Sequence, residues 1–320
     1  MAFRVALERY ADQVEIVAIN TSGSVDIAGW AHLLKYDTVY GKFPKEIKVV
    51  RENIVIGGEK YPLLAERNPA KIPWSQYEVD VVLESTGVFR TAKDCQGHLE
   101  GGAGKVIISA PPKDRTPTYL IGVNAANYKG EKIISNASCT TNCVAPIVKI
   151  MKDNFKVVSA MMTTIHAYTA DQELVDGSHK DLRRGRAAAQ NIVPTSTGAS
   201  ESLASVLPGF KGKFAGLAMR VPVACGSLVD LIFVLDQTVR AQRVNRVFEL
   251  ASGGDYQGVI ETTTEPIVSS DVIGSCASTT IDLSLTSVLQ GNLVKIIAWY
   301  DNEWGYACRL IELAALIGKK

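Results

Sequence analysis

The stretch Ile133-Ile134-Ser135-Asn136-Ala137-Ser138-Cys139-Thr140-Thr141-Asn142-Cys143 decides how the rest of the chain is read. A short apolar strand ends there in small polar residues, and a helical pattern, Val144 to Met151, takes over. Upstream, apolar runs alternate with helical patterns. Val14 to Asn20 reads as a buried strand and Ile27 to Tyr36 as a helix. Asn53 to Ile56 and Tyr61 to Leu64 read as a hairpin turning on Gly57-Gly58. Val79 to Glu84 and Lys105 to Ser109 are further strands, with the helix Thr91 to Leu99 between them. Strand-helix alternation of this kind predicts an α/β half with a parallel, doubly wound sheet. Downstream the strands lengthen: Val157 to His166, Phe214 to Val221, Ser227 to Leu235 and Leu293 to Tyr300, with a helix from Arg240 to Ala251. That texture predicts an α+β half with a mainly antiparallel sheet covered on one face. Glu303 to Ile317 reads as a closing helix, and the boundary between the halves falls near Ser138.

The 320 residues fit one large domain or two ordinary ones, and 47% of them are apolar, enough for a sizeable core. Charge is nearly balanced at a formal +1, which argues against a general polyanion binder. No apolar run approaches the roughly 20 residues needed to span a bilayer. The first residues carry interspersed charges and lack the apolar core of a signal peptide. Six cysteines (Cys95, Cys139, Cys143, Cys225, Cys276, Cys308) form no C-x-x-C pair, and the four histidines are scattered. The expectation is a reduced, cytoplasmic protein with no structural metal.

Cys139 falls where a helix should begin. Amide N–H groups and the helix dipole there favour an anion, so a lowered thiol pKa is expected. Position alone leaves two readings open, a reactive nucleophile or a small buried hydrophobe. Cys143, one turn on, reads as a packed core residue. His166 ends a strand at Ile165-His166-Ala167-Tyr168-Thr169 and serves as a base only if it faces Cys139. The run His179-Lys180-Asp181-Leu182-Arg183-Arg184-Gly185-Arg186 is either a solvated face or an anion site, since guanidinium forks match phosphate. Pro194-Thr195-Ser196-Thr197-Gly198 leads into a helix, and hydroxyls with bare amides at a helix start also hold phosphate. Arg220, closing an apolar strand, needs a partner if it is buried.

Taken together, Ser138-Cys139-Thr140-Thr141-Asn142, His166-Ala167-Tyr168-Thr169, Asp181-Leu182-Arg183-Arg184, Pro194-Thr195-Ser196-Thr197-Gly198 and Trp299-Tyr300-Asp301-Asn302-Glu303-Trp304-Gly305-Tyr306 resemble the glyceraldehyde-3-phosphate dehydrogenase family in order and spacing. Leu33-Leu34-Lys35-Tyr36-Asp37 and Glu84-Ser85-Thr86-Gly87 resemble its cofactor domain, and the likeness runs from Met1 to Lys320. The resemblance implies a Rossmann-like dinucleotide-binding domain over residues 1–138, completed by the helix 303–320, and a catalytic domain over 139–302. It implies a phosphorylating aldehyde oxidation. Cys139 attacks glyceraldehyde 3-phosphate, His166 takes the thiol proton, hydride passes to NAD or NADP, and inorganic phosphate releases the acyl group from a thioester. Thr169 and Arg220 match the holders of the substrate phosphate. Ser138, Thr140, Thr197 and Gly198, with Arg184 nearby, match those of the attacking phosphate. Cofactor contacts are implied at Arg67, Ser85, Thr86, Ser109 and Asn302, with Tyr306 near the nicotinamide. A homotetramer, no membrane and no nucleic-acid partner are the corresponding expectations.

The sequence departs from the family pattern in three places. It opens in the helix that follows the family's first strand and G-x-G-x-x-G turn, so the dinucleotide-binding fold is expected to lack that strand. Thr21-Ser22-Gly23 stands where NAD-specific members carry an aspartate, and Gly177-Ser178 replaces a Leu-Pro pair. Thr21 and Ser178 thereby resemble the pattern of relatives that use NADP. Ala224-Cys225-Gly226 follows Val221-Pro222-Val223 where Thr-Pro-Asn is usual. Two other functions remain open: erythrose-4-phosphate dehydrogenase, which shares the thiol motif, and a non-catalytic remnant that binds proteins or RNA.

Overall fold

The computed structural model describes residues 1–319, which form two compact units. The first gathers Met1–Tyr119, Asn127–Ala137 and the residues from Leu310 onward; the second holds Leu120–Ala126 and Ser138–Arg309. Among the described residues no helix is long and apolar enough to cross a membrane.

The first unit starts with helix α1 (Ala2–Arg9), strand β1 (Ile19–Asn20) and helix α2 (Ile27–Lys35), whose N-cap Asp26 accepts from Gly29 N. A small ladder, β2 (Tyr36–Asp37) with β3 (Gly41–Lys42), precedes β4 (Ile47–Val50), β5 (Asn53–Ile56) and β6 (Glu59–Leu64). Gly57 and Gly58 both take positive φ, 63° and 93°, as a two-residue hairpin turn requires. Then come β7 (Val81–Glu84), α3 (Ala92–Glu100, capped by Thr91), β8 (Lys105–Ile108) and β9 (Ile133–Ser135).

The parallel strands of this unit do not form one continuous sheet. One sheet runs β1-β6-β5-β4, with only β1 and β6 parallel; the other, β7-β8-β9, is parallel throughout. β1 and β7 each end a sheet, and two apolar clusters lie beneath them, one around Ile72, Trp74, Val106 and Ile108, the other around Phe43, Ile54, Ile56 and Tyr61. The expected strand Val14–Asn20 is corrected here. Only Ile19 and Asn20 pair, against Leu63 and Leu64. Val17 and Ala18 pack on the first cluster and Ile16 on the second, so side chains rather than a ladder hold that segment.

The second unit begins with α4 (Cys139–Asn154) and β10 (Val157–Ala167), then β11 (Val193–Thr195), α5 (Ala199–Val206), β12 (Phe214–Val221) and β13 (Ser227–Leu235). Helix α6 (Ala241–Ser252) and strands β14 (Ile260–Thr263), β15 (Thr279–Leu289) and β16 (Leu293–Tyr300) complete it, before helix α7 (Trp304–Gly318). The seven-stranded sheet runs β11-β12-β10-β13-β16-β15-β14. Its pairings are antiparallel except β12 with β10 and β14 with β15. Helices α4, α5 and α6 pack on one face. The other face carries exposed apolar side chains, with Met161 directly opposite Ile232 in the register of β10 and β13.

Candidate active site

The backbone enters α4 through a strained turn. Ala137 holds a left-handed conformation, φ 53°, with its N–H on Ser135 Oγ. Such strain in a residue with a Cβ persists only where the surroundings impose it. Ser138 is the N-cap, its Oγ accepting from Thr141 N at 3.1 Å. Cys139 is thus the first helical residue, and β10 brings His166 Nε2 to 3.5 Å from its Sγ.

The tautomer of His166 follows from its other nitrogen. Nδ1 lies 2.7 Å from Ala167 O, a pure acceptor, so Nδ1 carries the proton and the Nε2 lone pair faces the thiol. His166 is 4% exposed, and its pKa is lowered to about 4, first by burial and then by the nearby Arg220 guanidinium.

The expected depression of the Cys139 pKa is overturned. Part of the residue's surface stays open, yet it lies deep enough that burial dominates and pushes the thiol above its ordinary value. Arg220 and the amide and hydroxyl of Thr140 pull in the opposite direction without prevailing. At neutral pH the pair therefore rests as thiol and imidazole. Cys143 is a core residue, as expected: its Sγ sits 3.3 Å from Thr279 Oγ1, and burial takes its pKa to about 12.

Arg220, at the end of β12, donates from Nη1 to Thr169 Oγ1 at 2.6 Å and to Ala167 O at 3.3 Å. Its Nε is buried with no protein partner. Arg184 donates to Thr195 Oγ1 at 2.9 Å and Ser196 O at 3.2 Å, and pairs closely with Asp171. Asp171 also accepts from Thr169 Oγ1, so one carboxylate links Thr169 with Arg184. Asp181 completes the group, accepting from Thr195 Oγ1 at 2.6 Å. The structure thus joins Thr169, Arg184 and Arg220 in one polar cluster. Thr197 Oγ1 accepts from Ala199 N at the start of α5, beside the exposed Gly198. Thr140 is turned into the core, where its hydroxyl meets Tyr300 OH at 2.9 Å, and that phenol also meets Thr164 Oγ1 at 3.0 Å. Ser178 is exposed.

Asn302, 7% exposed, has its orientation settled by two donors. Gly226 N at 3.1 Å and Ser227 Oγ at 2.9 Å both reach Oδ1, which makes the amide nitrogen the other end of that side chain. The Ala224-Cys225-Gly226 departure acquires a role here. Gly226 holds φ 87°, and a Cβ there would stand 2.1 Å from Ser269 O, so only glycine delivers this amide. In the first unit, Thr21, Ser85, Thr86 and Ser109 all follow the carboxyl ends of their strands, where open α/β sheets bind ligands. Arg67 Nε donates to Ser22 O at 3.0 Å, which sets a guanidinium beside Thr21. Ser109 N bonds Glu84 O at 3.0 Å and ties the ends of β7 and β8 together.

Parallel strands of the dinucleotide-binding type in one unit and a cysteine–histidine pair on a mixed sheet in the other define a two-part class of nicotinamide-dependent oxidoreductases. Residues 1–92 match the family model described as glyceraldehyde 3-phosphate dehydrogenase, NAD binding domain, and residues 138–302 match that of the same family's C-terminal domain. A glyceraldehyde-3-phosphate dehydrogenase of Streptomyces coelicolor is 51% identical over 321 residues, covering 99% of this chain and 95% of the relative. Glyceraldehyde-3-phosphate dehydrogenase 2 of Streptomyces avermitilis is 50% identical over 320 residues, with the same coverage. Glyceraldehyde-3-phosphate dehydrogenase 1 of Bacillus cereus is 49% identical, again over 99% of this chain and 95% of the relative. The chain belongs to the glyceraldehyde-3-phosphate dehydrogenase family.

Proposed function

We propose that this protein oxidises D-glyceraldehyde 3-phosphate to 1,3-bisphosphoglycerate, with inorganic phosphate as co-substrate and NAD or NADP as hydride acceptor. The observation that carries the reading is the Cys139 Sγ to His166 Nε2 approach at 3.5 Å, with Arg220 bonded to the carbonyl that orients the imidazole. Because both groups rest neutral, His166 acts as general base during attack. Sγ bonds to the aldehyde carbon while its proton moves to Nε2, giving a thiohemiacetal. A bound nicotinamide would supply the acceptor for the hydride that leaves this carbon, and loss of that hydride leaves a thioester on Cys139. A phosphate oxygen then bonds to the acyl carbon, the C–S bond breaks, and the sulfur recovers its proton from His166. Arg220 and Thr169 hold the phosphate of the aldehyde; the unpartnered Arg220 Nε supplies a buried donor for it. Arg184, Thr197 and Gly198, with Ser138 at the head of α4, serve the attacking phosphate, and Thr140, its hydroxyl held by Tyr300, has only its backbone amide to add.

The fit to a nicotinamide dinucleotide rests chiefly on Asn302 and Arg67. Asn302, with its oxygen occupied, offers an amide N–H to a carboxamide carbonyl, and Tyr306 lies in the first turn of α7, which follows it. Arg67, held over Ser22, offers a guanidinium at the strand end where Thr21 replaces a carboxylate. That pairing suits a ribose 2′-phosphate, so NADP is accepted as well as NAD, with Ser178 as a further donor. Thr21→Asp should shift preference toward NAD. Steady-state rates with both cofactors and both sugar phosphates test the whole reading: a rate indifferent to inorganic phosphate, or a preference for erythrose 4-phosphate, would refute it. The relatives' names favour neither erythrose 4-phosphate oxidation nor a non-catalytic remnant. A cytoplasmic homo-oligomer, a tetramer by the family expectation, is the setting we infer. The apolar outer face of the seven-stranded sheet supports it as the surface that meets a second copy.

A further inference from the structure

The first unit contains a buried acid and a buried imidazole with no part in the chemistry above. Glu84, at the end of β7, and His98, on α3, are each 4% exposed, and Trp74 is 5% exposed. Trp74 Nε1 lies 3.1 Å from His98 Nδ1, and His98 Nε2 lies 3.0 Å from Glu84 Oε2. The other carboxylate oxygen, Oε1, accepts from Thr86 N at 2.8 Å and from Thr86 Oγ1 at 2.5 Å. An indole N–H only donates, so His98 Nδ1 must accept. The ring proton is then on Nε2 and points at Glu84. Each donor in the chain is fixed by the one before it, from the core to the exposed loop Ser85–Val88.

We propose that Trp74, His98 and Glu84 form a proton-ordered positioning relay that sets the shape of the Ser85–Val88 loop for the dinucleotide. The proposal rests on the reading of that loop as a cofactor contact. Its logic is one of satisfied donors. A carboxylate carries only acceptors, so it takes three N–H or O–H groups at once without conflict. Thr86 gives both of its donors inward and accepts from Val88 N at 3.1 Å, which leaves little freedom to the turn. Burial opposes the charge on Glu84, but the bonds from His98 and Thr86 outweigh it and hold the carboxyl below its ordinary pKa. Phe89 meets the His98 ring edge-on, with centroids 6.4 Å apart, and helps keep the imidazole in place.

The relay makes an unusual demand on substitutions. In Glu84→Gln the amide can keep its oxygen toward Thr86 only by turning its NH2 onto His98 Nε2–H. Moving the ring proton to Nδ1 would relieve that clash but create another with the indole N–H. In the double variant Glu84→Gln, Trp74→Phe the indole donor is gone, the proton can move to Nδ1, and Nε2 can accept from the new amide. We would measure NAD and NADP binding by calorimetry, kcat and cofactor KM by steady-state assay, and the tautomer of His98 by 15N NMR of the whole chain. Glu84→Gln should raise cofactor KM and Kd about tenfold with kcat little changed, as expected for one misplaced charge-assisted bond. Trp74→Phe alone should stay near wild type, and the double variant should recover most of the lost affinity. A double variant no better than Glu84→Gln, or a wild-type ring protonated on Nδ1, would overturn the relay; the second measurement needs no variant to fold. Ser85→Trp tests the loop reading separately. Undiminished cofactor affinity in that variant would remove the loop from the cofactor site, while the NMR result would still decide the relay.

Discussion

His166 and Arg220 share one acceptor: the Ala167 carbonyl takes the imidazole Nδ1 proton at 2.7 Å and an Arg220 Nη1 proton at 3.3 Å. The same guanidinium therefore lowers the pKa of the imidazole and draws on the bond that fixes its tautomer. If Arg220 holds the substrate phosphate as proposed, binding there would act on the His166 imidazole through this carbonyl as well as through space.

Cys139 should be the thiol that reacts first with iodoacetate, since Cys143 is fully buried and its pKa stands at about 12. Because burial raises the Cys139 thiol too, the unliganded rate should still be climbing above the pH at which an ordinary thiol ionises. Cys139→Ser should abolish aldehyde oxidation. Mass spectrometry of a briefly labelled sample checks the order, and earlier labelling of Cys143 would remove Cys139 as nucleophile.

The depressed pKa of His166 has a consequence for stability. As pH falls below 6.5 the unfolded chain takes up this proton before the folded one does, so stability falls with pH until about 4, where the folded ring is also protonated. The contribution is fully present above 6.5, and the interval corresponds to roughly 3 kcal/mol. Urea unfolding across this range should show that slope in the wild type, and His166→Gln should flatten it. Parallel curves for the two proteins would contradict the assignment.

Arg220→Ala should raise KM for glyceraldehyde 3-phosphate and lower kcat/KM by one to two decades, or roughly 1.5–3 kcal/mol for a charge-assisted contact. It should also move the acid limb of the pH–rate profile upward, because a cation that depresses His166 is gone. Unchanged kinetics on both counts would place Arg220 outside the substrate site.

Ile232→Lys should weaken self-association. Ile232 is 36% exposed and Met161, its cross-strand partner, 65%, so a charge would enter the middle of an apolar face. Sedimentation velocity should show smaller species for the variant at equal concentration. An unaltered profile would exclude this face as the contact between copies.

Much of the fold is legible in the sequence. Ile133 to Cys143 announced strand, turn and helix, and β10, β12, β13 and β16 fall where their apolar patterns put them, because long strands covered on one face write their burial into the sequence. β15 went unread, although Ile281, Leu283 and Leu285 alternate with polar residues as a strand should. The Val14–Asn20 segment misled in the other direction: it is apolar enough for a strand, but pairing needs a neighbour that composition does not reveal. Residue types pick out candidate residues, but their protonation states do not follow from type. The raised Cys139 pKa and the lowered His166 pKa come from burial, a tertiary property. Asp171 and His98 carry no local signal that sets them apart from other acids and imidazoles, and Asp181 and Glu84 stand out only as members of motifs; the folded chain shows what all four touch.

The composition of the first unit bears on how the protein is made. Its residues from Leu310 onward are made long after the residues they join: Tyr10 OH bonds Glu312 at 2.6 Å, and Lys105 Nζ bonds Ile317 O at 2.5 Å. The first unit therefore cannot close before the residues beyond Leu310 have been made, however early its strands emerge. The earlier segments of this unit wait while the seven-stranded sheet of the second unit is still being delivered. The order of synthesis and the order of completion are thus reversed for the two units, and the waiting segments of the first are a species of the kind that aggregates most readily.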